Sequence, residues 1–260
     1  MTSSLTASIE GIGLWAPGIP SWEAFVGLRR GDAPPEAAPA RPAPALLPPN
    51  ERRRAPDTVL VALQAAQAAC EAAGRDPATL PSVFASTYGD LAITDHLCAT
   101  LAREPTEVSP IRFHNSVHNA AAGYWTIGTG AMEPATAISA GDGSFAMGLV
   151  EAMAQLEAGA PAVLLVAYDG PAVGALGDVL HSEGLLGIGL VLVRASEGAR
   201  LALALEPGGE AEADPPPADV AAGNAMAPAL ALLQAIATGL PAAVLPSGGA
   251  HGLRIGVRHG

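Results

Sequence analysis

The sequence predicts an α/β fold in which a layered sheet is covered by helices on both faces. Helix-like and strand-like stretches alternate along the chain, and the strand-like ones are continuously apolar, as strands buried on both faces are. Size agrees: 260 residues, half of them apolar, with 15% charged and 4% aromatic. That suits one large domain or two small ones with a sizeable core, and it is too apolar for a disordered chain.

Residues 7–14 alternate enough for a first strand, and Ser21 begins a short helix with Trp22, Phe25 and Leu28 at helical spacing. Proline and alanine dominate residues 32–49, an irregular loop. Asp57 caps a helix that runs to Ala73 and is closed by Gly74; its alanines occupy almost every face, which predicts a place between layers. A strand over residues 82–86 and a helix over 94–103 follow. A polar segment with two histidines, residues 113–119, then opens a helix through Trp125 and Gly128. Residues 136–140 read as a buried strand, Gly141-Asp142-Gly143-Ser144 as a tight turn, and residues 145–157 as a helix ended by Gly159. A buried strand follows at 162–167. Two more, at 185–194 and 201–205, are separated by a turn at Ser196-Glu197-Gly198. Residues 207–217, rich in proline, glycine and acidic side chains, form a solvent loop. The last helix covers residues 225–238 and the last strand 253–257. An uncharged stretch at 227–246 is broken by Pro228, Gln234, Gly239 and Pro241, so a buried helix followed by a strand is expected there rather than a membrane span.

Composition excludes several functions. Thirteen basic against 25 acidic side chains leave a net charge of −12, the wrong sign for a nucleic-acid or anionic-membrane surface. All 13 basic residues are arginine. Schiff-base enzymes, Walker-type phosphate loops and protein kinases each need a lysine amine, so these three fail. Cys70 and Cys98 lie in separate helix-like runs, with no CxxC and no paired His/Cys cluster. No structural zinc, disulfide framework or cofactor is expected, and the thiols suit a reducing cytoplasm. The first residues lack a basic segment followed by an apolar core, so no signal peptide is expected.

Four segments are candidates for chemistry. In the first, residues 112–125, His114 and His118 stand at i and i+4 and would share a helix face, a spacing metals favour. A third ligand is missing, so polar capping of a buried helix start is the stronger reading. In the second, residues 139–148, a strand, a sharp turn and a helix start could expose Ser144 as a nucleophile and offer amides to an oxyanion. The hydrolase elbow GxSxG is not spelled, and Asp142 and Ser144 serve equally as a helix cap, the favoured reading. In the third, Asn224 is an ordinary cap residue before the last helix. The fourth, the glycine-rich run 247–252, reads as a turn.

Taken in order, these segments resemble the β-ketoacyl synthase family of the thiolase fold. Val117-His118-Asn119-Ala120-Ala121-Ala122-Gly123 is similar to the synthase stretch before the active-site strand, and residues 139–148 sit where synthases carry their nucleophile elbow. Glu51-Arg52-Arg53-Arg54 before a long helix, and Gly223-Asn224 before a small-residue helix, fall in family order. The run Phe113-His114-Asn115-Ser116-Val117-His118-Asn119 is similar to that of the short synthase-like proteins of aryl-polyene pigment clusters. The resemblance implies a single domain, residues 1–260, with a layered αβαβα fold. Residues 1 to about 170 would form a first thiolase-like half, and 171–260 an abbreviated second.

The departures from that family are chemical. Synthases use a cysteine at the elbow, two histidines from the second half and a lysine. The resemblance puts Ala140 at the cysteine position and Asn224 at one histidine position, and the chain has no lysine. An alanine methyl forms no thioester, and an amide is no general base near neutral pH. What this implies is a non-catalytic subunit of the chain-length-factor type, a pseudoenzyme of fatty-acid or polyketide-type (aryl polyene) biosynthesis. Its partner would be an active β-ketoacyl-ACP synthase subunit, joined along the strand 134–140 as a cytoplasmic heterodimer. Acyl carrier protein would be engaged only indirectly.

Interface or tunnel positions would be His114, Asn115, Ser116, His118, Asn119, Tyr124, Ser139, Asp142, Ser144 and Phe145, with Phe145 or Tyr124 limiting chain length. The alternative is a serine acyltransferase or hydrolase using Ser144 or Ser139, with His114, His118 or His251 as base. A homodimeric relic that binds acyl groups is the third possibility.

Overall fold

The computed structural model describes residues 5–196, 201–206, 213–248 and 252–260. In chain order the elements begin with β1 (Thr6–Trp15), α1 (Trp22–Arg29), α2 (Pro49–Arg54), α3 (Asp57–Ala73), β2 (Ser82–Ala85) and α4 (Leu91–Arg103). Next come α5 (Pro110–Asn115), α6 (Ala120–Thr129), β3 (Ala135–Ile138), α7 (Ser144–Glu157), β4 (Ala162–Asp169) and α8 (Gly174–Gly177). The chain finishes with β5 (Leu186–Arg194), β6 (Leu201–Glu206), α9 (Leu230–Thr238), β7 (Ala242–Pro246) and β8 (Gly252–His259). The eight strands form one mixed sheet in the order β3-β2-β4-β5-β1-β6-β8-β7. β2 pairs in parallel with β3 and β4, and the remaining pairs are antiparallel.

The apolar strands are buried on both faces, which explains why they carry no alternation. On β4, Leu164, Val166 and Tyr168 pack with α3 and α6, while Val163, Leu165 and Ala167 pack with α7. The second of these cores also holds Phe25 of α1, Leu230 and Leu233 of α9, and Leu245 and Ile255 of β7 and β8. Helices therefore pack on both faces of the sheet, and the expected layered α/β arrangement is present. Three residue pairs, from Thr6↔Ala204 to Ser8↔Ala202, join β6, and through it β8 and β7, to β1. β5 lies between β4 and β1.

α3 is the long alanine-rich helix, and ten of its 17 residues are buried. It lies against the sheet backbone itself: a Cβ added at Gly13 would fall 2.1 Å from the Ala65 carbonyl oxygen. Small residues on both sides remove the side-chain layer that normally separates helix from sheet. Gly74 ends the helix at φ +63°, as expected for a left-handed cap.

Several local expectations are corrected. Asp57 does not cap α3; Pro56 holds that position, and the Asp57 carboxylate accepts from Arg41 Nε at 2.6 Å. α4 starts earlier, at Leu91, because the Asp90 carboxylate accepts from the Ile93 amide (2.8 Å). The histidine segment forms no single helix. α5 starts after Ser109 and ends at Asn115, and α6 starts at Ala120, so His114 and His118 share no helix face.

β3 is half-exposed rather than buried, since it is the terminal strand. α9 begins at Leu230 rather than 225, because a 3₁₀ turn at Ala227–Ala229, with Pro228 inside it, precedes it. The expected turn at Glu197-Gly198 and the loop over 207–212 lie outside the described residues. Among the described residues no helix is long and apolar enough to cross a membrane.

Candidate functional site

The site lies where the C-terminal ends of β2, β3 and β4 come together. β3 delivers Ser139 and Ala140, and the chain turns through Gly141, whose φ is +56°, into α7. Ala140 is half-buried, and its amide donates to Ser144 Oγ at 3.0 Å. The Ser144 hydroxyl in turn donates to the Gly141 carbonyl at 2.6 Å. Ser144 therefore stitches the elbow together; Gly143 is the N-cap of α7 and makes no side-chain cap bond, so neither Asp142 nor Ser144 caps this helix. Gly143 is pressed against the end of β7, where an added Cβ would fall 2.5 Å from the Ser247 carbonyl carbon. The result is a sharp strand-to-helix turn, led by the Ala140 methyl group and held by Ser144.

Asn224 is fully buried and its amide is fully engaged. Nδ2 donates to the carbonyls of Glu183 (3.0 Å), Gly184 (3.2 Å) and Asp169 (3.3 Å), and Oδ1 accepts from the Met226 amide (2.9 Å). An imidazole could not reproduce that set, because it offers no pair of donors on one nitrogen. The residue is a structural tie between two loops.

The sequence reading missed the group that organises this end of the sheet. Asp169 ends β4 with no exposure to solvent. Its carboxylate accepts from Ser86 Oγ (2.7 Å), the Thr87 amide (3.0 Å) and the Tyr88 amide (3.2 Å). Burial pushes this carboxyl above its ordinary range, and the three donors pull against that. The loop after β2 is thereby fixed: the Thr87 carbonyl accepts from Ser139 Oγ (3.0 Å), and the Ser86 carbonyl lies 3.0 Å from His118 Nε2. A carboxylate closing an otherwise apolar strand, Ala162–Asp169, was the available signal. Its partners depend on strand order, which the sequence does not spell. The Tyr88 hydroxyl is also pushed up, by burial first and then by Asp142 and Asp169.

Of the named positions, Asn115, Ser144 and Phe145 lie inside the chain, Phe145 deep in the core beneath α7. Ser139, Asp142, His114 and Asn119 are exposed; Ser116, His118 and Tyr124 are half-buried. The Tyr124 hydroxyl donates to Asn115 Oδ1 at 3.1 Å, and the His114 ring stands 6.5 Å from the Tyr124 ring. Asn119, at the N-cap of α6, makes no side-chain cap bond, and the Ser116 hydroxyl returns to the Phe113 carbonyl at 2.8 Å.

The two serine hydroxyls proposed as nucleophiles bond to backbone, and His118 is directed to the Ser86 carbonyl, so no serine–histidine pair is assembled among these residues. His251 lies outside the described residues. Among the described residues no group of three or more His, Cys, Asp or Glu side chains could hold a metal.

Beside the site is a cavity of about 770 Å³, lined among others by Leu46, Arg54, His114, Tyr124 and Ile127. Large apolar side chains are exposed here: Ile111 (62%) and Ile127 (81%) line the cavity, Phe113 (63%) lies on the same short helix as Ile111, and Met132 (95%) stands three residues before β3.

Residues 28–250 match the family described as beta-ketoacyl synthase, N-terminal domain. No curated protein matches the chain. Among solved structures, the complex of a ketosynthase (ApeO) with its chain length factor (ApeC) from Xenorhabdus doucetiae is similar, with TM-score 0.76 and 22% identity. The match covers 97% of this chain and 99% of that one. The ishigamide ketosynthase/chain length factor is similar at TM-score 0.69 and 18% identity, over 98% and 99% of the two chains. A beta-ketoacyl synthase from Burkholderia phymatum STM815 gives 0.59 and 16%, over 92% of this chain and 71% of its own. With the family match running over most of its length, the chain belongs to the β-ketoacyl synthase family.

Proposed function

We propose that this chain is a non-catalytic, chain-length-factor-like subunit that pairs with an active β-ketoacyl-ACP synthase in polyketide- or fatty-acid-type biosynthesis of the aryl-polyene kind. The observation that supports this reading is Ala140: it leads a sharp strand-to-helix turn at the position where the family resemblance puts the cysteine, and a methyl group cannot form a thioester. Asn224, its amide spent on three carbonyls and an amide, supports the same reading from the second half. So does length, since the chain spans 99% of the matched chain in each of two ketosynthase/chain length factor complexes.

The partner would add its own edge strand to β3 and cover the apolar surface around Ile127 and Met132. The cavity lined by Tyr124 would then extend the partner's acyl tunnel, with Tyr124, held by Asn115, limiting its depth. Phe145, packed in the core, is the weaker candidate for that limit. A net charge of −12 disfavours direct docking of an acidic carrier protein, which is left to the synthase subunit.

The test is co-expression with a cognate ketosynthase, followed by solution mass and a condensation assay with acyl carrier protein. A one-to-one complex in which activity requires both chains and survives Ala140→Ser supports the proposal. Condensation by this chain alone, or a stable homodimer that ignores the synthase, overturns it.

A further inference from the structure

The eight-stranded sheet has two ends, and they are built differently. At β3, the Ser82 amide donates to the Pro134 carbonyl (2.9 Å) and the Ser86 amide to the Ile138 carbonyl (3.2 Å). Even-numbered residues of this strand therefore face β2, and Ala135, Ala137 and Ser139 turn their N–H and C=O groups outward. With two alanines and a serine there, the edge is open to another strand.

At β7 the parity is set by the Val257 amide, which donates to the Pro241 carbonyl (2.7 Å), and by the register Ala243↔Ile255. Ala242, Val244 and Pro246 are the outward residues. Pro246 has no N–H to give. The Val244 amide donates to Asp214 Oδ2 at 2.7 Å, and the Val244 carbonyl accepts from the Asp214 amide at 2.8 Å. Among the described residues Ala242 alone of these three keeps an uncommitted N–H, and Asp214 is followed directly by Pro215, Pro216 and Pro217, which cannot extend a ladder.

We infer that Asp214 is a plug that closes the β7 edge, so that the chain has one docking edge, at β3, and terminates the sheet at the other. A sheet open at both ends adds strands without limit, whereas a blocked end stops growth after one partner. The carboxylate is suited to the task because one residue satisfies both outward groups of Val244, the donor through its side chain and the acceptor through its own amide. The inference rests on the β7 backbone and stands whatever the partner at β3 does.

Hydrogen exchange at single amides and solution mass test it on the full chain, wild type and Asp214→Ala, with Asp214→Asn as the conservative variant. In the wild type Val244 should exchange slowly and Ala242 fast, although both face outward. In Asp214→Ala, Val244 should exchange about tenfold faster, as loss of a charge-assisted bond implies, with Ala243 unchanged. The particle mass should then exceed that of the wild type at equal concentration. Asp214→Asn keeps an acceptor oxygen and should behave as wild type. Equal exchange at Val244 and Ala242 in the wild type overturns the plug, a result that needs no variant to fold. So does a folded Asp214→Ala chain whose Val244 stays protected and whose mass is unchanged.

Discussion

Replacing Ala137 with proline should separate association from folding. Ala137 stands opposite Phe84 in the parallel β2–β3 pair, but its N–H points away from β2, so proline removes no ladder bond from the free chain. Proline is tolerated on an edge strand in that orientation. The cost to the free chain should stay within about 1 kcal/mol, a change in Tm of about 4 °C or less for a chain of this size. In the proposed complex the same change would delete one donor and leave the partner's carbonyl without a bond in a buried strand pair. That costs about 1–3 kcal/mol, or roughly 5- to 150-fold in Kd. Thr136→Pro is the companion: its N–H faces β2, so it should lower Tm clearly more than Ala137→Pro does. Thermal unfolding and calorimetric titration with the ketosynthase measure both quantities. Wild-type affinity in a folded Ala137→Pro chain would refute pairing along β3, and equal Tm in the two variants would refute the parity argument.

Phe145→Ala should cost about 3–5 kcal/mol as a fully buried aromatic is lost, read as a fall in Tm of roughly 6–20 °C. Tyr124→Ala, at a half-buried site, should leave Tm nearly unchanged and lengthen the products of the reconstituted complex; an unchanged product profile by mass spectrometry removes Tyr124 from the tunnel. Burial holds the Asp169 carboxyl above its ordinary range, so the folded chain keeps that proton to higher pH than the unfolded chain does. The stability tied to it is complete below the ordinary carboxylate value and is lost as pH rises through the folded value. Tm should therefore fall more between pH 4 and pH 7 in wild type than in Asp169→Asn, and parallel profiles would count against the assignment. A thiol reagent should label one cysteine fast, the exposed Cys98. Cys70, buried with its thiol pushed up to about 12, should react only on unfolding.

The α/β class was legible because burial on both faces of a sheet leaves a direct trace, runs such as residues 162–167 with no polar alternation. α3 was legible in extent, down to its glycine stop, since an alanine-rich run closed by glycine has few other conformations; only its cap, Pro56 rather than Asp57, differed. The segment around the two histidines was not. Ser109-Pro110 starts one short helix and a turn after Asn115 ends it, and periodicity alone does not register so brief a break. The start of α9 was misjudged for a similar reason: Pro228 fits a 3₁₀ turn as well as it fits a first helical turn.

At the site, the side-chain chemistry on offer can be read from the sequence alone: no lysine anywhere, alanine at residue 140 and asparagine at residue 224. Those are properties of single side chains and need no neighbours to be read. Which groups meet depends on the packing of distant strands. Asp169 joins the Ser86–Tyr88 loop because β4 and β2 lie side by side with Ala85 level with Ala167. Asp214 meets Val244, and Gly143 meets Ser247, across gaps of 30 and about 100 residues in the chain. Strand order is a property of the whole packed core, chosen by which apolar faces can be buried together, and no local stretch of sequence contains it.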